Sequence, residues 1–210
     1  MDWGKRRSTI DAVYDQGILT PGSDSRLRAQ FAMTPHRPFM GLEEGGESRF
    51  NYTSDLLSAM WRYALAGGNY FHHEDEGQES KTTGVMVFDP NVRGGNKKAV
   101  LERLNWIGNA SRLFNETVKD LDEMAPHNEL VCSAKSVYCL ANPGHEYVVY
   151  AGASSPTEFS LDLASHDHPF KCRFYNPKIG IFGSEFTRDS GSAASFTKPD
   201  SGHWVLHVAR

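Results

Sequence analysis

The first part of the chain alternates between short apolar runs and segments with helical periodicity. Residues 37–45 contain a short apolar run that ends in a turn, which predicts a buried strand. Residues 53–66 place apolar side chains at helical spacing, and the glycine pair that follows predicts the end of the helix. Residues 69–73 predict a second short strand, and residues 97–115 a second long helix. The order strand, helix, strand, helix is typical of a parallel sheet or barrel.

The residues before this alternation predict little regular structure. Residues 10–14 predict a short helix, and Gly17, Pro21 and Gly22 break the pattern soon afterwards. We therefore interpret residues 1–36 as a loop-rich lead-in to the first strand.

From about residue 130 onward the helical period disappears. Short β-rich runs take its place, and turns containing Gly, Pro, Asn and Asp separate them. The runs cover residues 130–132, 137–140, 147–150, 158–163, 170–175, 179–182, 194–196 and 204–208. Short strands at this spacing predict an antiparallel β-sandwich. The sequence therefore predicts an α/β domain over residues 1–126 and an all-β domain over residues 127–210.

Composition is that of a globular protein and argues against two classes of partner. Of the 210 residues, 39% are hydrophobic and 23% charged, and the net charge of -4 gives no electrostatic reason to expect nucleic acid. No apolar run approaches the ~20 residues of a membrane span. Basic residues near the start precede no apolar segment, so no signal peptide is predicted. No motif predicts a cofactor, and the location of the protein stays open.

The cysteines predict no disulfide framework. Cys132, Cys139 and Cys172 are too few and odd in number, so at most one pair is possible. We interpret them as small buried hydrophobic residues.

Two adjacent carboxylates stand at the exit of the strand predicted within residues 37–45. Glu43 and Glu44 come after the apolar run and before a glycine pair. In α/β barrels catalytic groups lie at this end of a strand, because the loops there form the mouth of the barrel. Glutamates before glycines are also common in solvated turns, so the spacing alone leaves both interpretations open.

A second group of polar side chains follows the strand predicted at residues 69–73. His72 and His73 precede three acidic residues, and imidazoles and carboxylates are metal ligands. Neighbouring side chains on a strand point to opposite faces, so only two or three of the five can converge. We interpret residues 74–76 as a solvated acidic loop and predict no metal.

The order of several motifs resembles the C-terminal part of apiosidase-like glycoside hydrolases. These proteins have a (β/α)8 barrel followed by a β-sandwich that is labelled a collagen-binding domain. The matching positions are Pro38 with Glu43, Trp61 with Ala66-Gly67-Gly68, Met124-Ala125-Pro126, and residues 138–142, 146–150, 173–180, 196–199 and 203–207. The resemblance covers roughly residues 30 to 210.

The resemblance implies a fold and a set of site residues. Residues 38–43 would be the seventh barrel strand, and residues 69–73 would lie near the eighth. Glu43, five residues after Pro38, would be the nucleophile of a retaining glycosidase, whose carboxylate attacks the anomeric carbon. The expected partner is carbohydrate, and the candidate substrate-binding residues are Glu44, Trp61, His72 and His73. Full-length relatives are often secreted.

A retaining glycosidase also needs a second carboxyl group as acid and base. In this family it comes from the fourth strand, which the sequence does not predict. We therefore expect a partial barrel, comprising its last strands and helices, followed by the β-sandwich. Such a chain is a fragment, a truncated product, or one part of a barrel that a second copy or another chain completes. We expect weak or no hydrolysis by the chain alone.

The alternative function is non-catalytic. In it, the β-sandwich binds carbohydrate or protein, and residues 1–125 are remnant scaffold. Aromatic side chains on its predicted strands would either stack on sugar rings or fill the core. These side chains are Tyr138, Tyr147, Tyr150, Phe174 and Trp204.

Overall fold

The structure is a computed structural model. It describes residues 13–15, 39–44, 54–72, 78–79, 86–87, 97–132, 136–163, 168–191 and 193–210. The chain forms two compact units. The first comprises Met1–Ala64 and Gly68–Leu104, and the second comprises Leu65–Gly67 and Asn105–Arg210. The two units divide near residue 104, within a helix. The domain boundary predicted from the sequence lies near residue 126, where the helical period ends. That boundary stays a prediction.

The two long helices expected from the sequence are confirmed. Helix α1 spans Ser54–Leu65 and helix α2 spans Lys97–Arg112. On α1 the buried side chains include Leu57, Met60 and Trp61, which share one face at spacings of three and four residues. Gly67 has a φ of 81°, and the N–H of Gly68 donates to the carbonyl of Tyr63 at 3.2 Å, which closes the helix end as the glycine pair predicted.

The first unit contains a three-stranded parallel sheet. Strands β1 (Val13–Asp15), β2 (Phe39–Glu44) and β3 (Asn69–His72) lie in the order β1-β2-β3, and both pairings are parallel. The short helix predicted over residues 10–14 is wrong at Val13 and Tyr14. These residues are in β1, because pairing with β2 and their own strand propensity outweigh the local helical pattern. A small antiparallel pair, β4 (Gln78–Glu79) and β5 (Met86–Val87), belongs to the same unit.

The second unit contains two antiparallel sheets. The larger contains β6 (Ala125–Pro126), β8 (Val137–Asn142), β9 (Glu146–Ala151), β11 (Phe170–Asn176), β12 (Ile181–Phe182), β13 (Phe186–Arg188) and β15 (Trp204–Ala209). Its order is β12-β11-β15-β9-β8-β6, and β13 also pairs with β11. The smaller sheet has the order β14-β10-β7, with β7 at Val131–Cys132, β10 at Glu158–Asp162 and β14 at Ala193–Thr197. The expected antiparallel strands are confirmed, and β6 and β13 were missed.

Side chains from both sheets form one hydrophobic core. Tyr147, Val149 and Leu206 of the seven-stranded sheet belong to the same buried cluster as Phe159 and Phe196 of the smaller sheet. We call the face of the seven-stranded sheet that contributes to this cluster its inner face. Residues alternate along a strand, so each inner residue has outer neighbours on the opposite face.

The outer face of the seven-stranded sheet is buried too. Val148 and Val205 on that face are fully buried. Helix α2 contacts this region: the hydroxyl of Tyr175 donates to the carbonyl of Asn109 at 2.9 Å. The amide Nδ2 of Asn109 in turn donates to the carbonyls of Pro177 and Lys178, each at 3.1 Å. The end of α2 is therefore fixed to the hairpin between β11 and β12.

Candidate active site

The carboxyl ends of the three parallel strands bring several polar residues to one sheet edge. In the strand register Asp15 pairs with Gly41, and Glu44 pairs with His72. Glu43 lies between Gly41 and Glu44 on the middle strand. The carboxyl ends of parallel strands are where α/β folds place ligands and catalytic groups. Three carboxylate residues and a histidine thus share this edge.

A β-bulge occurs on β2 within this set. Gly41 pairs with Tyr70 and Glu44 pairs with His72, so three steps along β2 correspond to two steps along β3. The extra residue lies in the segment that contains Glu43. Bulges are over-represented beside active sites, where they redirect a side chain relative to the regular alternation of a strand.

The arrangement supplies groups for acid–base and nucleophilic chemistry. A carboxylate is the nucleophile or base of many hydrolases, and a second carboxyl or an imidazole moves the proton. The sequence did not predict Asp15 as a site residue. A helix was predicted over residues 10–14, so no strand was expected to end at Asp15. Only its pairing with β2, which involves residues 26 positions away, reveals that it ends a neighbouring strand. No local sequence signal marks that pairing.

The other predicted site residues are placed differently. Trp61 lies on α1 and its side chain is 0% exposed, the environment of a residue on a packed helix face. Its role as a substrate-binding residue stays a prediction. His73 and residues 74–76 lie outside the described residues. Among the residues that the structure describes, no group of three His, Cys, Asp or Glu side chains is suited to hold a metal ion.

Most aromatic candidates of the second unit are core residues. Tyr147, Tyr150 and Phe174 are buried, whereas Tyr138 and Trp204 are partly exposed. Tyr150 also uses its hydroxyl internally, 2.7 Å from Nδ1 of the buried His203. The indole N–H of Trp204 donates to Oδ1 of Asp200 at 2.8 Å. A sugar-stacking surface is therefore limited to the partly exposed Tyr138 and Trp204 within this set.

Two buried ionisable groups of the second unit were not found from the sequence. Glu146 on β9 is 2% exposed, and its Oε1 accepts a hydrogen bond from Nε2 of His207 at 2.6 Å. Its Oε2 accepts the backbone N–H groups of Lys119 at 2.7 Å and Asp120 at 2.8 Å. Burial alone would raise the pKa of Glu146, but the His207 bond and the two N–H groups outweigh it and lower that pKa.

The second group is the ammonium of Lys198, whose side chain is 2% exposed. Its Nζ donates to the carbonyls of Gly152 at 2.9 Å and Gly202 at 3.1 Å, and to Oγ of Ser155 at 3.2 Å. Burial lowers the pKa of Lys198, and the charge of Asp200 opposes that shift. Every acceptor belongs to a turn, so this lysine connects two loops.

The cysteine interpretation is confirmed at two positions. Cys139 and Cys172 are free and buried. Burial raises the pKa of both thiols, that of Cys172 to about 12. Neither thiol forms a nucleophilic thiolate near neutral pH.

In the parts of the chain that are described, no helix combines the length and apolarity that crossing a membrane requires.

Comparison with known proteins identifies several similar solved structures, among them two glycoside hydrolases. A glycoside hydrolase family 5 protein from Bacteroides vulgatus matches 89% of this chain with 16% identity and a TM-score of 0.64. A second glycoside hydrolase matches 99% of the chain with 15% identity and a TM-score of 0.57. The chain spans about half the length of these structures, 45% of the first and 50% of the second. No family model and no curated protein matches the sequence. The fold is thus that of part of these glycoside hydrolases.

Proposed function

We propose that this chain carries the nucleophile side of a retaining glycoside hydrolase site, with Glu43 as the nucleophile. One observation carries the proposal: Glu43 lies at the carboxyl end of the middle strand of a parallel sheet. We assign β1, β2 and β3 to the sixth, seventh and eighth strands of an apiosidase-like (β/α)8 barrel. The two sheets of the second unit then correspond to the β-sandwich accessory domain of that family.

The chemistry assigns a role to each residue at the edge. Glu43, ionised, would attack the anomeric carbon and form a glycosyl ester while the bond to the leaving oxygen breaks. Glu44 and His72, paired in the register, would contact the sugar. His73 follows directly in the sequence and is proposed for the same role. Carbohydrate is thus the proposed substrate.

A complete retaining site needs a second carboxyl group about 5 Å from the first. Asp15 is the carboxylate on the neighbouring strand. Asp15 pairs with Gly41, which lies two residues before Glu43 on the adjacent strand. The Cα atoms of Asp15 and Glu43 are therefore about 8 Å apart. Asp15 is therefore the candidate within this chain for a second carboxyl, in addition to any that another chain supplies. Without full acid catalysis, hydrolysis by the chain alone is weak or absent.

The test is covalent labelling, which does not require a complete site. The full chain is incubated with a panel of 2-deoxy-2-fluoro glycosides that carry a dinitrophenolate leaving group. This leaving group needs no protonation, so a nucleophile alone suffices. The expected result is a glycosyl adduct on the peptide containing Glu43, found by mass spectrometry and absent in Glu43→Gln.

Glu158→Gln is the matched control, because it removes an exposed carboxylate of the second unit. It should label like the unchanged chain. Labelling on Glu44 would contradict the assignment of the nucleophile. If no sugar in the panel labels the chain while the labelled compounds do react with an active retaining glycosidase, the nucleophile proposal fails and the non-catalytic binding function becomes the better interpretation.

A further inference from the structure

A buried carboxylate, that of Glu146, binds the segment between α2 and the seven-stranded sheet. We call residues 117–124 the connector. It includes a short 3-10 helix at Leu121–Glu123, and two of its apolar side chains, Val118 and Met124, are buried. The backbone N–H groups of Lys119 and Asp120 both point to Oε2 of Glu146, at 2.7 and 2.8 Å. Consecutive N–H groups that converge on one oxygen form a small anion-binding nest.

The other oxygen of the Glu146 carboxylate accepts a hydrogen bond from the neighbouring strand β15. Oε1 of Glu146 accepts from Nε2 of His207, 2.6 Å away, and His207 is 5% exposed. The two residues lie on adjacent strands, β9 and β15, at 61 positions' separation in the sequence. The carboxylate of Glu146 therefore accepts three hydrogen bonds, two from the connector and one from His207 on β15. Each of these bonds needs an acceptor oxygen.

We propose that Glu146 and His207 form an acid-released latch that holds the connector on the outer face of the seven-stranded sheet. Ionised Glu146 accepts at both oxygens. When a proton from solvent binds either oxygen, that oxygen carries an O–H directed at existing donors. One side of the latch then loses its acceptor, and a buried donor without an acceptor destabilises the closed connector. The connector, which has few other backbone bonds to the sheet, opens before the sheet does.

The direction of the pH effect follows from the donors around Glu146. They lower its pKa in the folded chain below the unfolded value of about 4.3. The latch is therefore complete above the unfolded pKa and is lost as the pH falls through the folded pKa. Neutral conditions keep the connector closed, and it is released as the pH falls through the lowered pKa of Glu146.

Other charged groups surround the latch and have to be separated from it. Oδ2 of Asp120 accepts from Nδ2 of Asn142 at 3.2 Å and lies 4.0 Å from Nδ1 of His145. Arg173, the register partner of His207 on β11, has its guanidinium 4.2 Å from the ring centre of Phe182. On the connector itself, Nζ of Lys119 donates to the carbonyl of Glu116 at 3.3 Å. Among these, Asp120 and His145 are the ionisable pair beside the connector, and Asp120→Asn, which removes the carboxylate of that pair, is the control.

The experiment is amide hydrogen exchange, read by NMR on the full chain between pH 7 and pH 3.5. The protection of the Lys119 and Asp120 amides, corrected for intrinsic exchange, should fall several-fold on acidification, up to the limit of about sevenfold that linkage sets at pH 3.5 for an open-state pKa of about 4.3. The His127 amide, which lies outside the connector and donates to the carbonyl of Cys139 at 2.8 Å, is the internal reference. Its protection should change less. In Glu146→Gln the two latch amides should lose protection already at pH 7, with little further change in acid.

Two variants make the result decisive. Asp120→Asn and His207→Gln keep Glu146 ionisable, and glutamine at 207 still offers an N–H donor, so both should retain the acid response. An unchanged response in Glu146→Gln would overturn the proposal. Loss of the acid response in His207→Gln would overturn the proposal too. It would show that the imidazole of His207, and not the carboxylate of Glu146, is the group that responds to acid. If Glu146→Gln fails to fold, the amides of the unchanged chain and of His207→Gln still decide between these outcomes.

Discussion

Asn109 on α2 and Gly180 in the hairpin between β11 and β12 are in direct contact, with no room between them for a methyl group. A Cβ built on Gly180 would clash with Oδ1 of Asn109 and would lie 2.8 Å from its Cγ. Gly180 also has a φ of +72°, which side chains other than glycine rarely adopt. The contact thus fixes both the rotamer of Asn109 and the residue type at position 180.

Gly180→Ala should therefore lower the free energy of unfolding by about 2 kcal/mol or more, from backbone strain of about 1–2 kcal/mol and the clash. In an Asn109→Ala background the clash is absent, so the same substitution should cost only the backbone strain of about 1–2 kcal/mol, less than in the unchanged chain. Urea denaturation of the four chains measures this coupling. Gly183→Ala is the matched control in the same hairpin, since its Cβ would meet only the carbonyl of Phe174 at an ordinary 3.5 Å. Equal costs of Gly180→Ala in both backgrounds would contradict the contact.

Lys198→Met should destabilise the second unit by about 2–3 kcal/mol, because it leaves buried carbonyl acceptors without their donor. The carbonyl of Gly202 would lose the bond it now accepts at 3.1 Å. Lys171→Met is the control, since Lys171 is exposed on β11, and it should change stability by less than about 0.5 kcal/mol. Equal urea midpoints for the two variants would show that the buried ammonium contributes nothing specific.

Cys139 and Cys172 should resist alkylation in the folded chain. Both are 0% exposed, and burial raises the pKa of each thiol, so the reactive thiolate is scarce. Iodoacetamide at pH 8, followed by peptide mass spectrometry, should modify them at least about 100-fold faster in 6 M guanidinium chloride than in buffer, since access then depends on unfolding. Rapid modification of either cysteine in buffer would contradict the packing of the core.

Asp15→Asn should separate two steps of the proposed reaction. With a dinitrophenyl glycoside the formation of the Glu43 adduct needs no acid and should be little changed. Its hydrolysis needs a base and should slow about 100-fold if Asp15 is that base. A rapid release of dinitrophenolate followed by a slower steady state is the kinetic signature. Equal loss of both steps would indicate that Asp15 only supports the sheet.

The sequence predicted the elements whose patterns are local. The buried face of α1, the glycine end of that helix and the β-rich runs of β9 and β11 are all visible within a dozen residues. The helix predicted over residues 10–14 is wrong at Val13 and Tyr14, because the strand that pairs with them, Phe39–Glu44, lies elsewhere in the chain. For the same reason no local pattern predicted the hydrogen bond between His207 and Glu146, which are 61 positions apart in the sequence. Of the candidate site, the position of Glu43 at a strand end was predictable, whereas the neighbouring Asp15 depended on strand register.

The position of β15 in its sheet has a consequence for how the second unit is assembled. β15 pairs with β11 on one side and β9 on the other, so it joins the β8–β9 hairpin to the β11–β12 hairpin. During synthesis both hairpins leave the ribosome before the strand that unites them. Each then presents an open edge until residues 204–209 arrive, and pairings over such separations form slowly. We expect the interval before β15 emerges to be the period when nascent chains are most prone to associate with one another.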